Sequence, residues 1–321
     1  MIKRIFFIFI LLVSSFSFSQ LSKEHYIPPI SSGPSNADPI EQYIYISTPS
    51  TGDVNFTINT IGAASVSGVV SNATPYVHTI AEEGYSSFVQ DPATTSRVIS
   101  DKGFIINADS PVYVSVRLNA GGYAQAGALV SKGENALGTT FRIGTYDNQG
   151  SPGGNYLNFF SFMATEDNTT VNLTNERVTS GLQIQNAGAQ QFPINNISLN
   201  RGQTYVVAVK PQDTDPNRNG LIGTLVSSNK PIVVNAGSAN GSFGNGGARD
   251  YGIDQIVELS KVGKEYVFVK GDGDNSFENI LVVAHEDNTE VSVNGTAVAT
   301  INAGYYYIAE GNLYTNNNMY V

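Results

Sequence analysis

Side-chain oxygens recur at alternate positions in one loop, "DTDPNRNG", where Asp213, Asp215, Asn217 and Asn219 precede Gly220. That spacing fits the first half of a calcium loop, in which alternating oxygens converge on one point and Gly permits the turn. The second half does not follow, because the twelfth position counted from Asp215 is Val226 instead of a bidentate Glu. The alternative is an Asx-rich β-turn, whose Asp and Asn side chains bond their own backbone. A second acidic loop, "GDGDNSFEN" with Asp272, Asp274, Asn275 and Glu278, carries the same two readings. The tetrapeptide "EDNT" occurs at 166–169 and again at 286–289. It reads as a turn made twice, since Asp and Asn tolerate left-handed conformations and a following Thr re-enters a strand.

Aromatic residues supply a different chemistry. Tyr305, Tyr306 and Tyr307 are consecutive in "GYYYIAEGN"; on a strand their side chains alternate between faces, so at least one ring is exposed and available to a protein or sugar. The competing reading is an interior aromatic plus a cross-strand pair. The Gly- and Asn-rich stretch 235–254 adds Asn240, Phe243 and Arg249 as candidate ligand contacts on a variable loop. Catalysis finds no comparable constellation. His25, His78 and His285 have no metal-ligand spacing, no GxSxG elbow is present, and Glu82 and Glu83, adjacent on a strand, point to opposite faces. The expectation is a chain that is not an enzyme and needs no cofactor, calcium being the candidate ion, first in the Asp213–Asn219 loop.

These loops lie in a chain that repeats itself. Residues 161–175 align with 281–295 at an offset of 120, placing Ala164, Glu166, Asp167, Asn168, Thr169 and Val171 on Ala284, Glu286, Asp287, Asn288, Thr289 and Val291. The same offset sets Gly103 on Gly223, Pro111 on Pro231 and Val114 on Val234. A weaker third copy comes earlier, where Ser47 and Val54 keep the spacing of Ala164 and Val171. Units are thus expected at 40–158, 159–278 and 279–321, the last truncated, so that the chain reads as a fragment. Period-two alternation at Val54, Phe56 and Ile58 and at Val171 and Leu173 marks half-buried strands. "GTLVSS" and "PIVVNAG" read as strand, turn and strand about Lys230-Pro231, with Pro111 and Pro231 at strand starts. The fold class is all-β, as tandem β-sandwich-like repeats; a β-propeller-like ring is the alternative, although about 120 residues exceed one four-stranded blade.

Composition agrees. Only 14% of residues are charged, while Gly number 32 and Tyr and Phe 17 and 16, the make-up of strands joined by polar turns. Residues 1–19 read as a signal peptide, with Lys3 and Arg4 ahead of an apolar run at 5–13 and small residues before Gln20. Its removal takes the formal charge from −10 to −12, two cations lost, and leaves no basic footprint for nucleic acid. Zero cysteines mean that an exported chain must be held by burial and strand pairing. Residues 20–39, with three prolines between Leu21 and Asp38, read as a flexible entry.

The stretch 254–269, "DQIVELSKVGKEYVFV", with the later "AHEDNTEV" and the "SNKPIVV" turn, resembles the repeat of the N-terminal domain of IgGFc-binding proteins. The residues carrying the resemblance are Asp254, Gln255, Gly263, Glu265, Tyr266 and Val267. The family's Pro-rich step after Gln is "IVEL" here, and Val262 stands where a Trp is often found. The resemblance extends over nearly all of residues 40–321 and implies a module carried on large secreted or surface proteins. "LSKEHYIPP" further resembles exported proteins of gliding Bacteroidetes, which implies type IX secretion. The expected function is a non-catalytic extracellular adhesion module of a larger cell-surface or secreted protein. It would bind protein or glycan through inter-strand loops, without nucleic acid and without spanning the membrane. The alternative is a structural spacer presenting a distal domain.

Overall fold

The computed structural model describes residues 20–33, 39–82, 84–119, 126–148, 157–178, 180–188, 191–210, 216–241 and 250–321. Three sets of strands follow one another. The first holds β1 Ser22–Ile27, β2 Ile30–Ser31, β3 Glu41–Ser47, β4 Val54–Thr60, β5 Val66–Val70, β6 Tyr76–Ala81, β7 Val89–Gln90, β8 Val98–Ile99, β9 Phe104–Asn119 and β10 Gly127–Val130. The second holds β11 Gly138–Arg142, β12 Asn158–Ala164, β13 Thr169–Thr174, β14 Ile194–Leu199, β15 Thr204–Ala208, β16 Leu225–Ser238 and β17 Gly252–Ile256. The third holds β18 Val267–Val269, β19 Ile280–Val283, β20 Thr289–Val293, β21 Thr296–Ile301, β22 Tyr306–Ala309 and β23 Asn318–Tyr320. No α-helix occurs among the described residues.

The longest strand organises each of the first two sets. The first half of β9 pairs with β1 and β4, and its second half with β3 and β10. In the same way β16 pairs first with β11 and β13, then with β12 and β17. One strand thus serves two sheets, and Ile44 and Ile46 from one sheet meet Val54, Phe56 and Ile58 from the other in a single buried cluster. That is the face-to-face packing of a sandwich. Pro111 and Pro231 lie where each long strand passes between sheets, in mid-strand and not at its start. Because a change of sheet interrupts the ladder, the missing N–H costs nothing there.

The pairings also correct the expected boundaries and one register. β1 is paired with β9 and buries His25, Tyr26 and Ile27, so residues 22–27 are a core strand in place of a flexible entry. β11 pairs with β16 and β18 with β23, so the expected unit starts near 40, 159 and 279 fall one strand late. Ile46 lies opposite Val114 and Phe162 opposite Val234. With Val114 on Val234, Ile46 matches Phe162, and Ser47 matches Met163 instead of Ala164. A slip of one residue would have turned every side chain of β3 to the wrong face.

Candidate functional site

The expected binding tyrosines part company. Tyr305 is 44% exposed; Tyr307 packs against the third set's core. Tyr306 turns to the second set, where its hydroxyl donates to Asp147 Oδ1 at 2.6 Å beneath the Arg177 guanidinium, 5.2 Å from the ring centroid. Asp147 is buried and also accepts from Asn219 Nδ2 at 3.0 Å, while Asn219 Oδ1 accepts from Arg177 Nη1 at 3.1 Å. Two residues expected from unrelated readings, a tyrosine platform and a calcium ladder, therefore meet on one carboxylate.

Close by, Arg142 makes a bidentate pair with Glu176, at 2.6 and 2.9 Å, and its Nε donates to His285 Nδ1 of the third set at 3.2 Å. The Arg142 hydrogen bond holds the Glu176 carboxyl below its ordinary pKa. Gly223, at φ +82°, lies so near Gly304 that a β-carbon would overlap its carbonyl. These residues join the second set to the third.

The structure describes two of the four expected calcium ligands, Asn217 and Asn219. Asn217 is buried; its Oδ1 accepts from the Gln183 N–H at 2.8 Å and its Nδ2 donates to Lys210 O at 3.0 Å. The Asn219 oxygen likewise accepts from Arg177, so both amide oxygens have protein donors. Asp213 and Asp215 lie outside the described residues, as do Phe243 and Arg249. In the second acidic loop Glu278 folds back to accept from the N–H groups of Gly273 and Gly271, at 3.0 and 3.3 Å, and closes its own turn. Among the described residues no three His, Cys, Asp or Glu side chains are grouped to hold a metal.

"EDNT" is the same turn twice. Asn168 and Asn288 have φ of 56° and 57°. Thr169 and Thr289 hydroxyls donate to the carbonyls of Glu166 and Glu286 at 2.8 and 2.7 Å. Asp167 and Asp287 accept from the N–H groups of Arg201 and Ala303 at 3.0 and 3.1 Å.

Residues 126–321 match the IgGFc binding protein family. The chain belongs to the IgGFc-binding family. No curated protein and no solved structure matches it. The match starts in the connection leading to β10 and spans the second and third sets, less than the expected 40–321. IgGFc-binding domains are extracellular binding modules, and no helix among the described residues is long and apolar enough to cross a membrane.

The positions carrying the IgGFc-binding resemblance have structural duties. Gln255, fully buried, donates to Tyr26 O at 2.9 Å and accepts from the Lys132 N–H at 2.7 Å. Asn235 Nδ2 donates to Pro28 O at 2.8 Å, and the Ser161 hydroxyl to Pro29 O at 2.5 Å. Asp254 pairs with Lys132 at 2.6 Å. His25 lies beside this network: its Nε2 faces the carbonyls of Ser22 and Val112 at 3.2 and 3.1 Å, which fixes the Nε2–H tautomer, and Nδ1 is 2.9 Å from Ser131 Oγ. Burial lowers its pKa, opposed in part by the two carbonyls and by Glu24. Gly263 donates its N–H to the Tyr266 hydroxyl at 2.8 Å. Sequence reasoning missed Asp147, Arg142 and Arg177. None repeats in the other sets, and Asp147 and Arg177 lie in polar stretches, so neither period nor patterning marked them.

Proposed function

We propose that this chain is a non-catalytic module displayed outside the cell by a larger cell-surface or secreted protein, exported through a cleaved leader at residues 1–19. It binds a protein or a glycan through the loops between strands. The observation that carries this reading is the family match over 126–321. The β16–β17 connection supports it: residues 239–251 stand where 120–126 join β9 to β10, a longer insertion on the same scaffold, and it contains Asn240, Phe243 and Arg249. Tyr305, exposed at the turn before β22, is the second candidate contact.

Arrays of extracellular proteins and glycans, probed with the folded chain, test the proposal. A reproducible hit that weakens when Asn240, Phe243 and Arg249 are replaced together is expected. Silence from a chain with a cooperative unfolding transition would sink it and leave the spacer reading. That second reading is favoured by the way successive sets stack through equivalent strands.

A further inference from the structure

We propose that the free edge of β6 accepts an extended strand from a partner protein, one whose apolar and polar residues alternate. The reasoning compares one edge in two sets. With Ile46 matching Phe162, β6 is the counterpart of β15: Val77 opposite Tyr45 stands where Val206 lies opposite Ser161, and Thr79 opposite Tyr43 where Ala208 lies opposite Phe159.

In the second set the outer side of that strand is taken. β8 pairs with Thr204 and Tyr205, the Ser96 N–H donates to Val206 O at 2.9 Å, the Gln185 N–H donates to Ala208 O at 2.7 Å, and Ile184 bridges Val209. The cover over 182–185 alternates as a half-buried strand does, with Leu182 and Ile184 buried and Gln183 and Gln185 not. Under it Val206 and Ala208 are fully buried. The covering segment comes from the long β13–β14 connection, residues 175–193.

The first set has no such connection. Residues 61–65 join β4 to β5, the equivalent strands, and none of them bonds to β6. The opening therefore belongs to the first set's own sequence, all of whose strands lie within residues 22–130. Among the described residues only β3 pairs with 76–81, and Val77 is 48% exposed. Because the N–H and C=O of one residue point the same way in an antiparallel ladder, those of Val77 and Thr79 face away from β3, as those of Val206 and Ala208 face away from β12. Edges are commonly shielded by charge, proline or a bulge. Pro75 and the register shift at Ile80 bound this opening, but Tyr76–Ala81 carries no Lys, Arg, Asp or Glu, and burial holds His78 below its ordinary pKa. An added strand gains the Val77 and Thr79 backbone groups and sets its apolar residues against Tyr76 and Ile80, which are only partly buried over the first core.

The probe is a synthetic peptide of residues 181–188, "GLQIQNAG", the segment that covers the second set's edge, added at up to about 1 mM to the full chain. Amide exchange is read by NMR. The Val77 and Thr79 amides are expected to exchange freely in the chain alone and to slow at least about tenfold with peptide. Val77→Pro removes an outward N–H without touching the β3 ladder and should abolish the effect; Thr79→Pro should do the same and guards against one variant that misfolds. A peptide reordered as "GLIQQNAG", with its alternation broken, should do nothing. Amides already protected in the chain alone would mean that its own residues cover the edge. That result, no slowing by the peptide, equal slowing by the reordered one, or slowing that survives both proline variants would each overturn the proposal. Array binding through the loops is read separately, so failure here leaves the binding-module reading untouched.

Discussion

The two joints between successive sets use opposite chemistry. At the first, Leu157 and Phe159 from the second set complete the first set's core, and Met163 packs on Tyr26. The buried amides of Gln255 and Asn235 hold the carbonyls of Tyr26 and Pro28. At the second, polar and charged groups meet across two glycines, with Arg142 between the partly exposed Glu176 and His285, and Tyr306 on the buried Asp147. A shared apolar core couples the folding of its two halves, whereas exposed ion pairs contribute little. The first and second sets should therefore unfold as one body, and the third should open on its own.

The largest test is Phe159→Ala. Phe159 is fully exposed to neither set's solvent face, being 0% accessible, and its loss leaves a cavity costing about 3–5 kcal/mol. Urea unfolding should shift in a single transition reported equally by probes in both sets. Two separated transitions would mean that the first joint is no shared core.

Next is Gly223→Ala, aimed at the other joint. The new β-carbon meets the Gly304 carbonyl from a left-handed backbone, an expected local cost of about 1–3 kcal/mol. Hydrogen exchange should quicken across 280–309 and stay unchanged across 104–119. Equal acceleration in both stretches would dissolve the distinction between the joints.

How much of this was legible depends on what each residue reports. The period-two runs and the 120-residue offset made the all-β repeat readable, because a fold that repeats must repeat its buried positions. "EDNT" was legible for the same reason, its left-handed Asn having a local cause. Pro231 was not: a proline in an apolar run argues for a strand end, and only the partner strands reveal that one strand changes sheets there. The segment 22–27 failed similarly, since nearby prolines suggested mobility while the pairing of β1 with β9 lies about 80 residues away. The residues joining the sets contact partners far off in sequence and appear once each, so no periodic signal marked Asp147, Arg142 or Arg177.

Acid should separate the joints more gently. His25 has its folded pKa lowered by burial, so the unfolded chain binds a proton that the folded chain refuses. Stability of the first two sets therefore falls as pH drops from the ordinary imidazole range, near 6.5, towards the depressed folded value, and the loss stops once both states are protonated. His25→Gln should flatten that slope in urea midpoints measured between about pH 7 and about pH 5. An unaltered slope would mean that another group governs it.

The smallest effect is expected from Glu176→Gln. The pair with Arg142 is asymmetric, the Arg142 side chain being 6% exposed and that of Glu176 40%, so the carboxylate keeps much of its hydration. Its pKa is lowered chiefly by the Arg142 hydrogen bond, which means that its contribution is present above the ordinary carboxylate range and fades as pH falls through the depressed folded value. The substitution keeps a hydrogen-bonding oxygen while removing the charge, and Arg142 retains Gly223 O and His285. The expected loss is below about 1 kcal/mol, confined to exchange within 280–309, and smaller at high salt. A larger loss that salt does not diminish would show the second joint to be as tightly coupled as the first, since only a desolvated pair escapes screening.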